Sequence, residues 1–120
     1  MLLTNHLRDS LRALDVSTND RDALQQLERD VYDASCDFQG FEDCSEGTLG
    51  DLQVGLLLTL DKALARLRWS LETLQQAPKD HVFLHDVVIE RCRLTAALSA
   101  VLAVDDELDA RLNFDAPEKV

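Results

Sequence analysis

The stretch from Leu49 to Leu74 carries more apolar surface than one face of a helix can hold. Leu49, Leu52, Leu56, Leu60, Ala63, Leu67, Leu71 and Leu74 recur at three- and four-residue spacing and read as one continuous stripe. Val54, Leu58, Ala65 and Trp69 form a second, narrower strip on roughly the opposite side. A helix with two apolar faces must bury both. A chain of 120 residues has few other helices to do that with, so a protein partner is expected.

The surroundings of this stretch read as helix as well. Leu3, Leu7, Leu11 and Leu14 mark a short helix over residues 2–14, and Leu24, Leu27, Val31, Ala34 and Phe38 mark a one-sided helix over 19–38. Ser17, Thr18 or Asn19 is the expected cap of that second helix. The segment 39–50 holds three of the four glycines and several acids, and is the clearest break. Phe41 is expected to pin this loop, and Ser45 or Thr48 to cap the next helix. That third helix then runs over 48–77. Pro78 disfavours helical backbone in the residue before it, and Asp80 is placed to cap a fourth helix over 81–112.

The fourth helix has a main stripe of Phe83, Leu84, Val87, Leu94, Leu98, Val101, Leu102, Leu108 and Leu112. On its reverse side His81, His85, Ile89, Cys92, Ala96, Ser99 and Ala103 succeed one another at helical spacing, most of them small. The short link makes helices three and four antiparallel neighbours. The expected fold is therefore all-α: a long antiparallel helical hairpin with one or two shorter helices, a three- to four-helix bundle, paired as a homodimer about a two-fold axis. Residues 1–112 read as one domain and 113–120 as a flexible tail.

Composition narrows the function. Twenty-three acidic against twelve basic residues give a formal charge of −11, which repels phosphate and argues against direct contact with nucleic acid or an anionic membrane. It suits a partner with a basic or apolar surface. Three cysteines without a C-x-x-C pair fit a reducing cytosol, the first residues lack the pattern of a secretory leader, and no apolar run is long enough to span a bilayer. The expected location is the cytoplasm. Nine arginines against three lysines hint at a GC-rich bacterial or phage genome.

Chemistry finds little anchor. His81 and His85 lie one helical turn apart, the spacing that lets two imidazoles share a zinc ion, but Val82 stands where a zincin carries glutamate, and Cys92 is two turns away. Two ordinary histidines are the simpler reading. Residues 37–43 lack the alternating oxygen ligands of a calcium loop. Asp105, Asp106, Glu107 and Asp109 read as a solvated acidic cap near a helix C-terminus. Arg66 and Arg68, like Arg91 and Arg93, point to different sides of their helices, so neither pair makes a basic patch. Arg91 approaches the main stripe and is expected to need a carboxylate, from Asp61 or the second helix. No nucleophile–base spacing and no phosphate-cradling glycine loop is present.

What remains is an interface. Val54, Leu58, Ala65 and Trp69, with Cys92, Ala96, Ser99 and Ala103, are the candidate contact residues; an aromatic beside aliphatic neighbours and ringed by charge has the make-up of a hot spot. The expected function is that of a small acidic regulator that binds and blocks another protein, a transcription factor above all, in the manner of an anti-activator. The alternatives are a helical adaptor or chaperone in secretion or virion assembly, and a His/Cys metal-binding helical protein. No enzymatic activity and no cofactor are expected.

Overall fold

A computed structural model describes residues 2–39 and 47–114. Phe41, Cys44 and Ser45, the Thr48 side chain, most of the calcium-loop comparison and residues 115–120 lie outside what it describes. The described residues form four helices and no strand: α1 (Asn5–Arg12), α2 (Arg21–Gln39), α3 (Gly47–Gln76) and α4 (His81–Phe114). The fold is an all-α bundle.

Local chemistry sets the helix starts. Thr4 takes the Leu7 N–H on its hydroxyl at 3.1 Å, so α1 begins after Thr4 rather than at residue 2. Asp20, not Ser17, Thr18 or Asn19, caps α2, accepting the Ala23 N–H at 3.1 Å. Thr18 and Asp15 instead close the turns before it, through the N–H groups of Asp20 and Ser17. Asp80 caps α4 as its position predicts, taking the N–H groups of Val82 and Phe83 at 2.8 and 3.2 Å. Between α3 and α4 the chain reverses over 77–80, where Leu74 C=O accepts from Ala77 and Ala77 C=O accepts from Asp80.

Close backbone approaches run from α1 to α2, from α2 to α3, from α3 to α4 and from α4 back to α1, with none between α2 and α4. Short α1 and the connection after it occupy the side where α2 and α4 stay apart. The result is an elongated body of 63 × 24 × 21 Å. No helix among the described residues is long and apolar enough to cross a membrane.

The core runs along α3. Leu57, Leu60, Leu64 and Leu67 are fully enclosed, with Ala63 and Leu71 close behind; Leu24, Leu27 and Val31 meet them from α2, and Val87, Leu94, Ala97, Val101 and Leu108 from α4. The stripe is thus rotated from the one read in sequence. Leu57 and Leu64 belong to it, whereas Leu52 is 47% exposed and Leu49 and Leu56 only half-buried. Leu84 and Leu112 likewise stand more exposed than the α4 stripe implies.

Polar groups tie the elements together. Asp105 is buried, accepts the Leu3 N–H at 3.0 Å, and receives Arg8 Nε at 2.6 Å. The hydrogen bond to Asp105, then that carboxylate's charge, holds the Arg8 guanidinium above its ordinary pKa against an opposing desolvation. Arg12 reaches Asp106 at 3.0 Å. The acidic cap is therefore half structural: two of its four carboxylates clamp α1 onto α4. Arg68 grips Glu28 with both arms, at 2.6 and 3.1 Å, and joins α3 to α2. Arg91 takes no carboxylate among the described residues. Its guanidinium donates to the carbonyls of Ser17 and Thr18 and to Asn19 Oδ1, because the connection before α2 lies beside it and α2 itself does not approach α4.

Candidate functional site

Part of the two strips read in the sequence meets at the outer seam between α3 and α4. An open groove of about 510 Å³ runs along it, with no residue of α1 or α2 in its lining. Its floor is Leu56 and Ala63 from α3 with Ala96, Ala97 and Ala100 from α4. Small floor residues leave the room; a leucine at any of the alanines would fill part of it. Lys62, Arg66 and Arg93 form the rim.

A second hollow of about 350 Å³ adjoins the first through Arg66, and is lined further by Ala65, Trp69, Ser70 and Glu90. Trp69 is 68% exposed, the most exposed of the large apolar side chains among the described residues. Glu90 is buried beside it. One carboxylate oxygen accepts from Arg93 at 2.7 Å, and the other has no partner among the described residues. A buried carboxylate oxygen without a donor is a place where an incoming donor group gains a hydrogen bond.

Of the eight residues singled out in sequence, the structure brings Ala65, Trp69 and Ala96 to this seam. Val54 is half-buried against the core and Leu58 half-buried. Cys92, Ser99 and Ala103 are exposed or half-exposed on α4 but outside the groove lining.

The cationic rim escapes a reading of each helix alone. Arg66 and Arg68 do diverge, as do Arg91 and Arg93; Arg68 and Arg91 turn to the inner seams, while Arg66 and Arg93 meet across the outer one with Lys62. Spacing within one helix shows the divergence. Only the pairing of two antiparallel helices shows the meeting. Lys62 and Arg66 make no hydrogen bond or ion pair among the described residues.

A recess of about 360 Å³ marks the α2/α3 seam, between Gln25, Tyr32 and the Glu28–Arg68 pair. Asp61 lines it, and burial, then the charge of Glu28, pushes its carboxyl above the usual aspartate range, with Lys62 opposing. Tyr32 is 52% exposed at its edge.

His81 and His85 both stand exposed in the first turns of α4. Among the described residues no group of three His, Cys, Asp or Glu side chains is placed to hold a metal ion. Cys36 and Cys92 are free, exposed thiols. Comparison of the chain with known family models, with curated proteins and with solved structures gave no match, so the geometry of the seam carries the functional reading by itself.

Proposed function

We propose that this chain is a regulatory binding protein that docks another protein on the α3/α4 seam and acts by occupying that protein's surface. The observation that carries the reading is Trp69, 68% exposed and set at the end of an apolar groove. Covering an indole so exposed contributes about 3 kcal/mol to binding. A flexible polar side chain there would keep the free protein more soluble, so an exposed tryptophan fits a site that is covered in use. The charge of −11 argues against direct contact with nucleic acid, which leaves a protein as the target. A transcription factor is the target whose blocked surface has the most direct consequence.

The test uses the tryptophan itself. Proteins captured from native lysate by the intact chain are compared with those captured by Trp69→Ala. The substitution should weaken the complex by about 2 kcal/mol, some thirtyfold. Since Trp69 is the one tryptophan in the chain, its emission should also shift to the blue when a tryptophan-free fragment of the partner is added. Retention of every captured partner at unchanged affinity by Trp69→Ala removes the seam from consideration.

A further inference from the structure

The rim of the seam selects the chemistry of what docks there. We infer that the α3/α4 groove receives an acidic amphipathic helix of a partner protein, its apolar ridge on the alanine floor and its carboxylates against Lys62, Arg66 and Arg93. The inference rests on the docking function proposed for the seam and names the partner element.

Three observations support it. The first is charge. In a chain with twenty-three acids and twelve bases, three cations gather on the rim of one apolar groove. Five other arginines, at positions 8, 12, 68, 91 and 111, are spent on partners within the chain, and Arg93 on the rim itself already holds Glu90 at 2.7 Å. Lys62 and Arg66 are not so spent among the described residues. Opposite charge across a docking surface sets register and rejects partners of the wrong sign.

The second is shape. The floor alanines let a third helix approach closely, and a ridge of side chains fits the groove between two packed helices. From Leu56 to Ser70 the two hollows track α3 for roughly 21 Å at ~1.5 Å per residue, the length of about four helical turns. A helix laid there would cover the outer side of α3 and α4 as α2 covers the inner side of α3.

The third excludes the nearest alternative, a second copy of this chain placed seam to seam. A two-fold contact brings a surface against itself. The Lys62, Arg66 and Arg93 cluster would then lie against the same cluster of the second copy, which disfavours that pairing. The occupant is a different molecule bearing acid.

The test uses designed probes of about 14 residues, each an amphipathic helix with a leucine ridge, flanked by glutamate, glutamine or lysine. Labelled peptides are titrated with the full chain, and binding is read by anisotropy together with Trp69 emission. The glutamate peptide should bind about tenfold more tightly than the glutamine peptide, with the lysine peptide weakest. The double variant Lys62→Glu/Arg66→Glu, at two positions on α3 that stay in contact with solvent, should reverse that order. Salt should narrow the gap. Equal binding of all three peptides, a preference for lysine, or no binding by any of them overturns the inference.

The two readings fail separately. If Trp69→Ala releases the captured partner while the glutamate peptide shows no advantage, docking stands and the acidic helix falls. If the partner stays bound to Trp69→Ala while the peptides still sort by charge, the groove keeps its charge preference but the cellular partner docks elsewhere, and the proposed function falls.

Discussion

Asp105 shows how one side chain changes its meaning with its surroundings. Along the chain it is the first of four crowded acids; in the fold it is 1% exposed, clamped between the Leu3 amide and Arg8. Its partners lie 102 and 97 residues away, so no local pattern announces them. Removing one member of a buried pair leaves the other uncompensated. Asp105→Ala should therefore lower unfolding stability by about 3 kcal/mol in urea titration. The double change Arg8→Met/Asp105→Leu should recover most of that loss. No recovery would mean that the Leu3 amide, not the ion pair, is the essential contact. Asp61 works in the other direction. Its carboxyl is held above the ordinary range by burial and by Glu28. Between its unfolded value, about 3.9, and the raised folded one, the native state holds more proton than the unfolded chain. Stability therefore falls as pH rises through that window and stays reduced above it. Asp61→Asn should raise the denaturation midpoint at pH 7, by less than about 1 kcal/mol because the recess is open to water, and the advantage should fade below about pH 4. A gain that persists at acid pH would assign the effect to packing instead of charge.

At the scale of the helices, what the sequence makes legible is where each begins and stops. Pro78 and Asp80 mark the reversal between α3 and α4, and the described helices lie within a few residues of the expected spans. The rotational phase of α3 is not legible in the same way. Consecutive leucines at 56, 57 and 58 let three adjacent stripes satisfy the same periodicity, and only the placement of α2 and α4 selects the one through Leu57 and Leu64. The candidate site is half visible for the same reason. Trp69, Ala65 and Ala96 stand out within single helices; the Lys62–Arg66–Arg93 rim exists only once two helices are paired. Gln53 extends the argument to stability. It is fully buried on α3 and donates to the Val101 carbonyl of α4 at 3.0 Å, while its own carbonyl oxygen has no partner among the described residues. The bond contributes about 1 kcal/mol and the orphaned acceptor costs about 1–3 kcal/mol. Gln53→Leu should thus raise stability by about 1 kcal/mol in urea titration. A loss would show that ordered water satisfies the oxygen in solution. The polar contact then serves to fix the register of α3 against α4, a use for which buried amides are known in helical pairs.

For the molecule as a whole, the question is what an elongated body does with the apolar surface it leaves outside. The enclosed core takes one face of α3 and one of α4, and the outer seam keeps Trp69, the alanine floor and three cations. Of the surface expected to need a partner, Ala65, Trp69 and Ala96 stand on this seam, and the charge around them bears on the homodimer expected with it. Self-association through the seam would have to overcome repulsion between identical rims, whereas self-association through another surface, such as Leu84 and Val88 on α4, would not meet it. The two arrangements separate on mixing. If the seam were the self-contact, wild type and Lys62→Glu/Arg66→Glu would attract each other, and a mixed species would outcompete both parents. Light scattering of the mixture should show no such species. The molar mass of the double variant should equal that of wild type at low salt, where the Debye length is about 30 Å and surface charge acts at its longest range. A mixed dimer tighter than either parent would place a second copy in the groove and take the acidic helix out of it.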